Sequence, residues 1–210
     1  MNTLLAAVVL VTGALAAPAF DRAPPSAPSP PSSGEAAVIA AAYDRNDALE
    51  SYTFHMDIAM AMRHFPWLHF KMEGLGDYRR GDHYIVHLIK KPSFASKMQD
   101  IDLSVIDPSM WPNRYRYHET GQQDGDTLFA LEEIKPGSLK AATVALNPVS
   151  GAHWVDITYA DGMHIHMILS SDDIEGYLLP VTLTADVDYP NMPLSADATF
   201  NDYSIAAPPQ

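Results

Sequence analysis

The side chains in this 210-residue sequence that could do chemistry are nine histidines, ten methionines and 26 carboxylates; there is no cysteine. The lack of Cys excludes a thiolate nucleophile, a thiolate zinc site, an iron–sulfur cluster and a disulfide framework. His164 and His166 are two residues apart on one face of an expected strand, with His153 on the partner strand. Imidazoles so placed can chelate a metal. The expected pairing sets no Asp or Glu beside them, and no HExxH spacing occurs, so a solvated face is the plainer account. A second set, His55, Met56, Met60, Met62, His64 and Met72, is soft enough for copper(I). Alternation opposes it, because His55 faces away from Met56, Met60 and Met62. No GxSxG elbow, phosphate-binding loop or dinucleotide fingerprint is present, and Ser, His and Asp show no triad spacing. Asp107, Asp124, Asp126, Asp161, Asp172 and Asp173 lie in turn-forming sequence. The expectation is a protein that is not an enzyme, with no cofactor and no metal.

What must position these groups is sheet. From Ser51 to Arg63, Tyr52, Phe54, Met56, Ile58, Met60 and Met62 alternate with Ser51, Thr53, His55, Asp57, Ala59 and Arg63. The HFPW run at 64–67 breaks the pattern. Leu68, Phe70 and Met72 then alternate against His69, Lys71 and Glu73, which predicts an antiparallel hairpin. Gly74 and Gly76 mark a bulge or bend, and Arg80-Gly81-Asp82 turns into a strand over 84–90. Residues 92–112 read as a helix followed by a turn. Strands follow at 115–118, 127–132 and 142–146. His153 to Leu169 centres on Asp161-Gly162, which predicts a two-residue type I′ turn. That turn pairs Ala160 with Met163, Thr158 with Ile165 and Asp156 with Met167. Trp154, Met163, Ile165, Met167 and Leu169 then share one face, and His153, Ile157, Tyr159, His164 and His166 the other. Strands at 181–187 and 196–205, joined by a turn at Asn191-Met192-Pro193, end the chain. Ahead of the sheet, an Ala-rich run over 35–51 predicts a helix of about four turns. Its capping box is Ser32 with Glu35, and its buried side is Val38, Ile39, Ala42, Tyr43 and Leu49.

About nine strands without a βαβ rhythm predict an α+β, mainly antiparallel β fold. We expect a curled, open β-barrel (half-barrel) sheet with an N-terminal helix and a small helical lid, since a long single sheet curls. The net charge of −13 argues against nucleic acid and against docking by charge onto an anionic membrane. Residues 1–19 read as a signal peptide, with an apolar run at Leu4–Ala17 and small residues after it, although Met1-Asn2-Thr3 carries no Lys or Arg. Residues 20–34 read as a Pro/Ser-rich disordered linker and 35–206 as the folded domain. A periplasmic or secreted, soluble monomer follows, with no lipidated Cys.

The apolar stripes supply the candidate binding set: Tyr52, Phe54, Met56, Ile58, Met60, Met62, Phe70, Met72, Trp154, Met163, Ile165 and Met167. Thioethers and aromatics facing a hollow make a pliable wall for a lipid or acyl chain; the same residues could equally pack a solid core. Several pieces resemble a known family: a Y-x-F-x-M-x-I strand, FPWLHFKMEGLGDYRRGD at Phe65–Asp82, GYLLPVTLTADV at Gly176–Val187, and ATFNDY at Ala198–Tyr203. With the amphipathic helix ahead of them, these resemble the outer-membrane lipoprotein-sorting (LolA/LolB-like) superfamily over about residues 35–206. The resemblance implies an unclosed barrel, helices as a lid, and an apolar cavity that accepts acyl chains in a non-enzymatic carrier or sensor, with a transient envelope partner. Two departures stand against lipoprotein delivery: no Arg matches the family's cavity-mouth arginine, Arg63 lying on the polar face, and the lipidated Cys of a lipoprotein receptor is absent. The alternatives are a periplasmic copper- or zinc-binding protein and a non-catalytic interaction module.

Overall fold

The computed structural model describes residues 33–96, 99–135, 137–188 and 193–206. The expected signal peptide, nearly all of the expected linker, Ser32 of the expected capping box, and the Asn191-Met192 part of the last turn lie outside the described residues. In chain order the elements are α1 (Ser33–Tyr43), β1 (Ser51–Met62), β2 (Phe65–Arg79), β3 (His83–Lys90), β4 (Asp100–Asp102), α2 (Trp111–Arg114), β5 (Tyr115–Gln123), β6 (Asp126–Glu133), β7 (Leu139–Asn147), β8 (Gly151–Tyr159), β9 (His164–Ile174), β10 (Tyr177–Asp188) and β11 (Leu194–Ile205). All eleven strands form one sheet in the order β4-β3-β2-β1-β11-β10-β9-β8-β7-β6-β5. It is an open, curled, antiparallel sheet with a short β4 at one edge and β5 at the other.

The alternation of β1 becomes the two faces of this sheet. Tyr52, Phe54, Met56 and Ile58 are buried on the concave side, whereas Thr53, Asp57 and Ala59 are exposed. Each buried apolar side chain of this size contributes about 1.5–3 kcal/mol. One end of the hollow is filled by aromatic rings. Tyr52 stacks on Tyr78 with centroids 4.6 Å apart, and Phe54 meets Tyr84 edge-on at 5.9 Å and Phe200 at 5.4 Å. Gly76 is required there: it lies opposite Phe54, and a Cβ on it would fall 2.0 Å from the Phe54 ring.

The expected helix over 92–112 is instead two 3₁₀ turns and the single turn of α2, after β4 and an earlier 3₁₀ turn at Ser93–Ala95. Asp102 Oδ1 accepts the Ser104 N–H and Asp107 Oδ1 the Ser109 N–H, each at 2.8 Å, which diverts helical donors into turns. Pro108 and Pro112 remove two more donors. This segment runs from one sheet edge to the other. It sinks Leu103, Val105, Ile106, Met110 and Trp111 into the hollow, and Trp111 Nε1 donates to the Val105 carbonyl at 3.0 Å. It is the expected lid, built of turns.

The first helix also ends earlier than its composition predicts. After Tyr43 the chain tightens into a 3₁₀ turn at Asp44–Asn46. Asn46 Nδ2 then donates to the Leu178 carbonyl, and Asn46 Oδ1 accepts the Leu178 N–H, both at 2.8 Å. An amide that pairs with strand backbone in both directions anchors this turn to β10. Ala42 and Leu49 are buried and Val38, Ile39 and Tyr43 partly so, as the sequence implies.

The β8–β9 hairpin differs by one residue from the two-residue expectation. Gly162 N–H bonds to the Tyr159 carbonyl at 3.1 Å and Tyr159 N–H to the Met163 carbonyl at 2.8 Å, with φ of 90° at Gly162. This is a three-residue connection in which glycine alone takes the left-handed position. The pairs are therefore Thr158 with His164, Ile157 with Ile165, Asp156 with His166, Val155 with Met167 and Trp154 with Ile168. A one-residue slip exchanges faces. It buries Val155 and Ile157, and it spares the sheet an inward carboxylate at Asp156.

Candidate functional site

The concave face is continuous across strands. Met60 lies opposite Phe70 and Ala196, Ile58 opposite Met72, Met62 opposite Leu194, and Val187 opposite Leu194 and Ile165. Its burial is graded along the strands. At the β1 start the face is closed beneath α1 and the Asp44–Asn46 turn. At the β1 end, Met60, Met62, Phe70, Ile165, Val187, Leu194 and Ala196 are all only partly buried. Beyond them the hairpin tip exposes Phe65, Trp67 and Leu68, with the Phe65 and Trp67 rings edge-on at 5.5 Å.

Of the residues singled out in the sequence, ten share this face: Tyr52, Phe54, Met56, Ile58, Met60, Met62, Phe70, Met72, Ile165 and Met167. Trp154 does not. The hairpin register sets it on the convex side, opposite Ala145 and Ile168 and 6.1 Å from the His166 ring. Met163 follows the three-residue connection, immediately ahead of β9, where its carbonyl accepts the Tyr159 N–H. Missing from the set were Leu183, Ala185, Val187, Leu194, Ala196, Ala198 and Phe200, the inward side chains of β10 and β11. Their alternation is as plain in the sequence as that of β1.

Under the closed end lies a cavity of about 60 Å³, lined by Leu49, Tyr52, Tyr78, Asp107, Leu146 and Leu179 among others. A space of that size suits water or a methyl group, not an acyl chain. Asp107 is its polar wall. Burial raises its carboxyl pKa, against the lowering effect of the Ser109 backbone N–H and of hydroxyls on Ser109 and Tyr78. Tyr78 Oη lies 3.2 Å from Ser109 Oγ and shares a hydrogen bond with Tyr43, whose phenol is pushed up to about 12, chiefly by burial. A larger open cleft, about 600 Å³, separates α1 from residues 108–112; Ile39, Tyr43, Arg80, Ser109 and Tyr117 line it. Arg80 sits 5.1 Å over the Tyr43 ring and is held by Asp47. Arg63, by contrast, pairs with Asp188 on the outside.

The convex face is polar and richer in carboxylate–imidazole pairs than the expected register allowed. Asp156 Oδ1 lies 2.8 Å from His166 Nδ1 and 3.5 Å from His164 Nε2, so a carboxylate does share the histidine face. His153 is held apart from them, its Nδ1 2.7 Å from the buried Asp126. His55 faces away from Met56, Met60 and Met62, as alternation requires, and those thioethers do not meet it. No helix among the described residues is long and apolar enough to cross a membrane.

No protein-family model matches the sequence, and no curated protein matches it. Solved structures do share its fold. A LolA superfamily protein from Nitrosomonas europaea superposes with a TM-score of 0.58 at 12% identity, over 83% of this chain and 94% of that one. A DUF1329 family protein from Desulfovibrio piger gives 0.55 at 8% identity, over 83% and 94%. A domain from Vibrio parahaemolyticus named for outer-membrane lipoprotein sorting gives 0.56 at 9% identity, over 82% and 93%. At such identities the likeness is one of architecture, and the chain carries the open half-barrel fold of the LolA superfamily.

Proposed function

We propose that the protein is an exported, non-enzymatic carrier or sensor that receives a lipid or similar apolar chain at the open end of its concave sheet. The observation that carries this reading is the burial gradient. An apolar wall of Met60, Met62, Phe70, Ile165, Val187, Leu194 and Ala196 remains partly exposed on the hollow side of a sheet whose other end is covered by α1 and the segment over residues 103–114. Unbranched thioethers adapt to chains of differing shape. Burying a chain is worth about 0.8 kcal/mol per methylene, so eight to ten methylenes supply micromolar affinity before ordering costs. The ligand set of the sequence narrows accordingly: Tyr52, Phe54, Met56 and Ile58 form the floor, Met60, Met62, Phe70 and Met72 the receiving wall, and Ile165 and Met167 its far side. The lipoprotein-sorting name of the Vibrio domain fits a cargo of this kind.

Titration with a fluorescent fatty acid tests the reading. Met60→Asp and Phe70→Asp are expected to weaken binding about tenfold or more, and Ala59→Asp, one residue away on the convex face, to leave it unchanged. Equal effects at all three, or no lipid recovered by solvent extraction of protein purified from its own cells, would overturn it.

A further inference from the structure

We propose a divalent-metal site of the zinc class on the convex face, formed by His55, Asp57 and Glu73. His55 and Asp57 are two apart on β1 and so share a face, and register sets Glu73 of β2 directly opposite Asp57. One ring nitrogen of His55 and one carboxylate oxygen from each acid lie within 4.8 Å of one another, with His55 Nδ1 3.6 Å from Asp57 Oδ2. Tetrahedral donors on a zinc ion lie about 3.4 Å apart, so small rotations of the side chains bring the three into contact with one ion. Imidazole with two carboxylates is a borderline-hard set that suits zinc and its first-row neighbours, and water can complete it.

Three further features point to a cation. Asp57 and Glu73 are like charges facing each other across an antiparallel pair, an arrangement that destabilises a sheet unless something positive lies between them. On the other flank, Asn201 of β11 lies opposite His55 and donates its amide to Asp57 Oδ2 at 3.1 Å, which orients that carboxylate. Its own Oδ1 is shielded from solvent and has no hydrogen-bond partner. The donors also stand on β2 and β1, inside the sheet rather than at its edges, so the backbone beneath them is fixed. Lys90 is the resident cation. Its Nζ lies 2.6 Å from Glu73 Oε2, but the side chain is largely exposed and free to turn to water when a metal competes for Glu73. The site lies on the opposite face of the sheet from the lipid wall and stands or falls independently of it.

Calorimetric titration of the metal-free full chain with zinc(II) chloride decides the matter. One equivalent is expected to bind with a Kd of about 10 μM or tighter. His55→Ala and Glu73→Gln should each weaken it about tenfold or more, and Lys90→Ala, which removes the competitor, should tighten it. Far-UV circular dichroism on the same samples confirms that the variants are folded. The proposal is overturned by no binding tighter than about 1 mM, by unchanged affinity in His55→Ala, or by loss of the zinc on His166→Gln, which would assign it to the His164–His166–Asp156 group.

Discussion

Asp107 is one residue whose chemistry is set by where the chain takes it. In sequence it is a turn-former ahead of a proline, and it does hold the Ser109 N–H. Its burial was not legible, because turn carboxylates normally stand in water and only the crossing of residues 103–114 through the hollow draws this one under α1. Burial raises its folded-state pKa above the unfolded value. The native state then binds the extra proton, so Asp107 contributes stability that is fully present below the unfolded pKa of about 3.9 and is lost as pH rises through the folded pKa. Asp107→Asn keeps the acceptor and removes the titration. Urea denaturation should show the variant gaining stability relative to the parent between pH 4 and pH 7; an unchanged difference would mean the carboxyl is not desolvated. The His55, Asp57 and Glu73 group was likewise unreadable residue by residue. Its convergence depends on the hairpin register, which an irregularity between Ala61 and Met62 adjusts, and no count of apolar positions supplies that.

At the scale of elements, strong period-two alternation was enough to place β1, β2 and β9 to β11 and to assign the concave side of β1. What alternation could not settle was the turn chemistry. Asp-Gly suits a two-residue connection, yet the native hairpin uses three residues because that register buries Val155 and Ile157 and turns Asp156 outward; packing outweighs turn preference. The crossing segment was misread for a related reason. Its apolar residues looked helical, but Asp and Pro at short intervals break it into turns, and it owes its position to anchoring rather than to propensity. Trp111 is the anchor, fully buried against Tyr117 and Phe129, each 5.5 Å away between centroids. Trp111→Phe should cost about 1–3 kcal/mol by orphaning the Val105 carbonyl, and Trp111→Ala about 3–5 kcal/mol by opening a cavity. Equilibrium unfolding of the two variants measures both, and near-equal losses would show that the hydrogen bond contributes little.

For the molecule as a whole, a single sheet carries both a buried interior and a partly exposed apolar wall, and it does so by dividing its length: α1 and the crossing segment cover one end, and the other stays open. The half-barrel class followed from strand number and the lack of βαβ units. The division did not, since it depends on residues 103–114 joining opposite edges. One consequence lies in how the chain is made. β1 has β2 as an early neighbour, but its other flank belongs to β11; the bond from Asn201 to Asp57 spans 144 positions. A chain threading out of a ribosome or a translocation channel at about 5–20 residues per second leaves that flank unsatisfied for about seven to thirty seconds. During that interval the half-made sheet offers a bare ribbon to any other strand, so a chain cut after Pro193 should remain protease-sensitive where the full chain resists, and newly made protein calls for an escort until its last twelve-residue strand arrives.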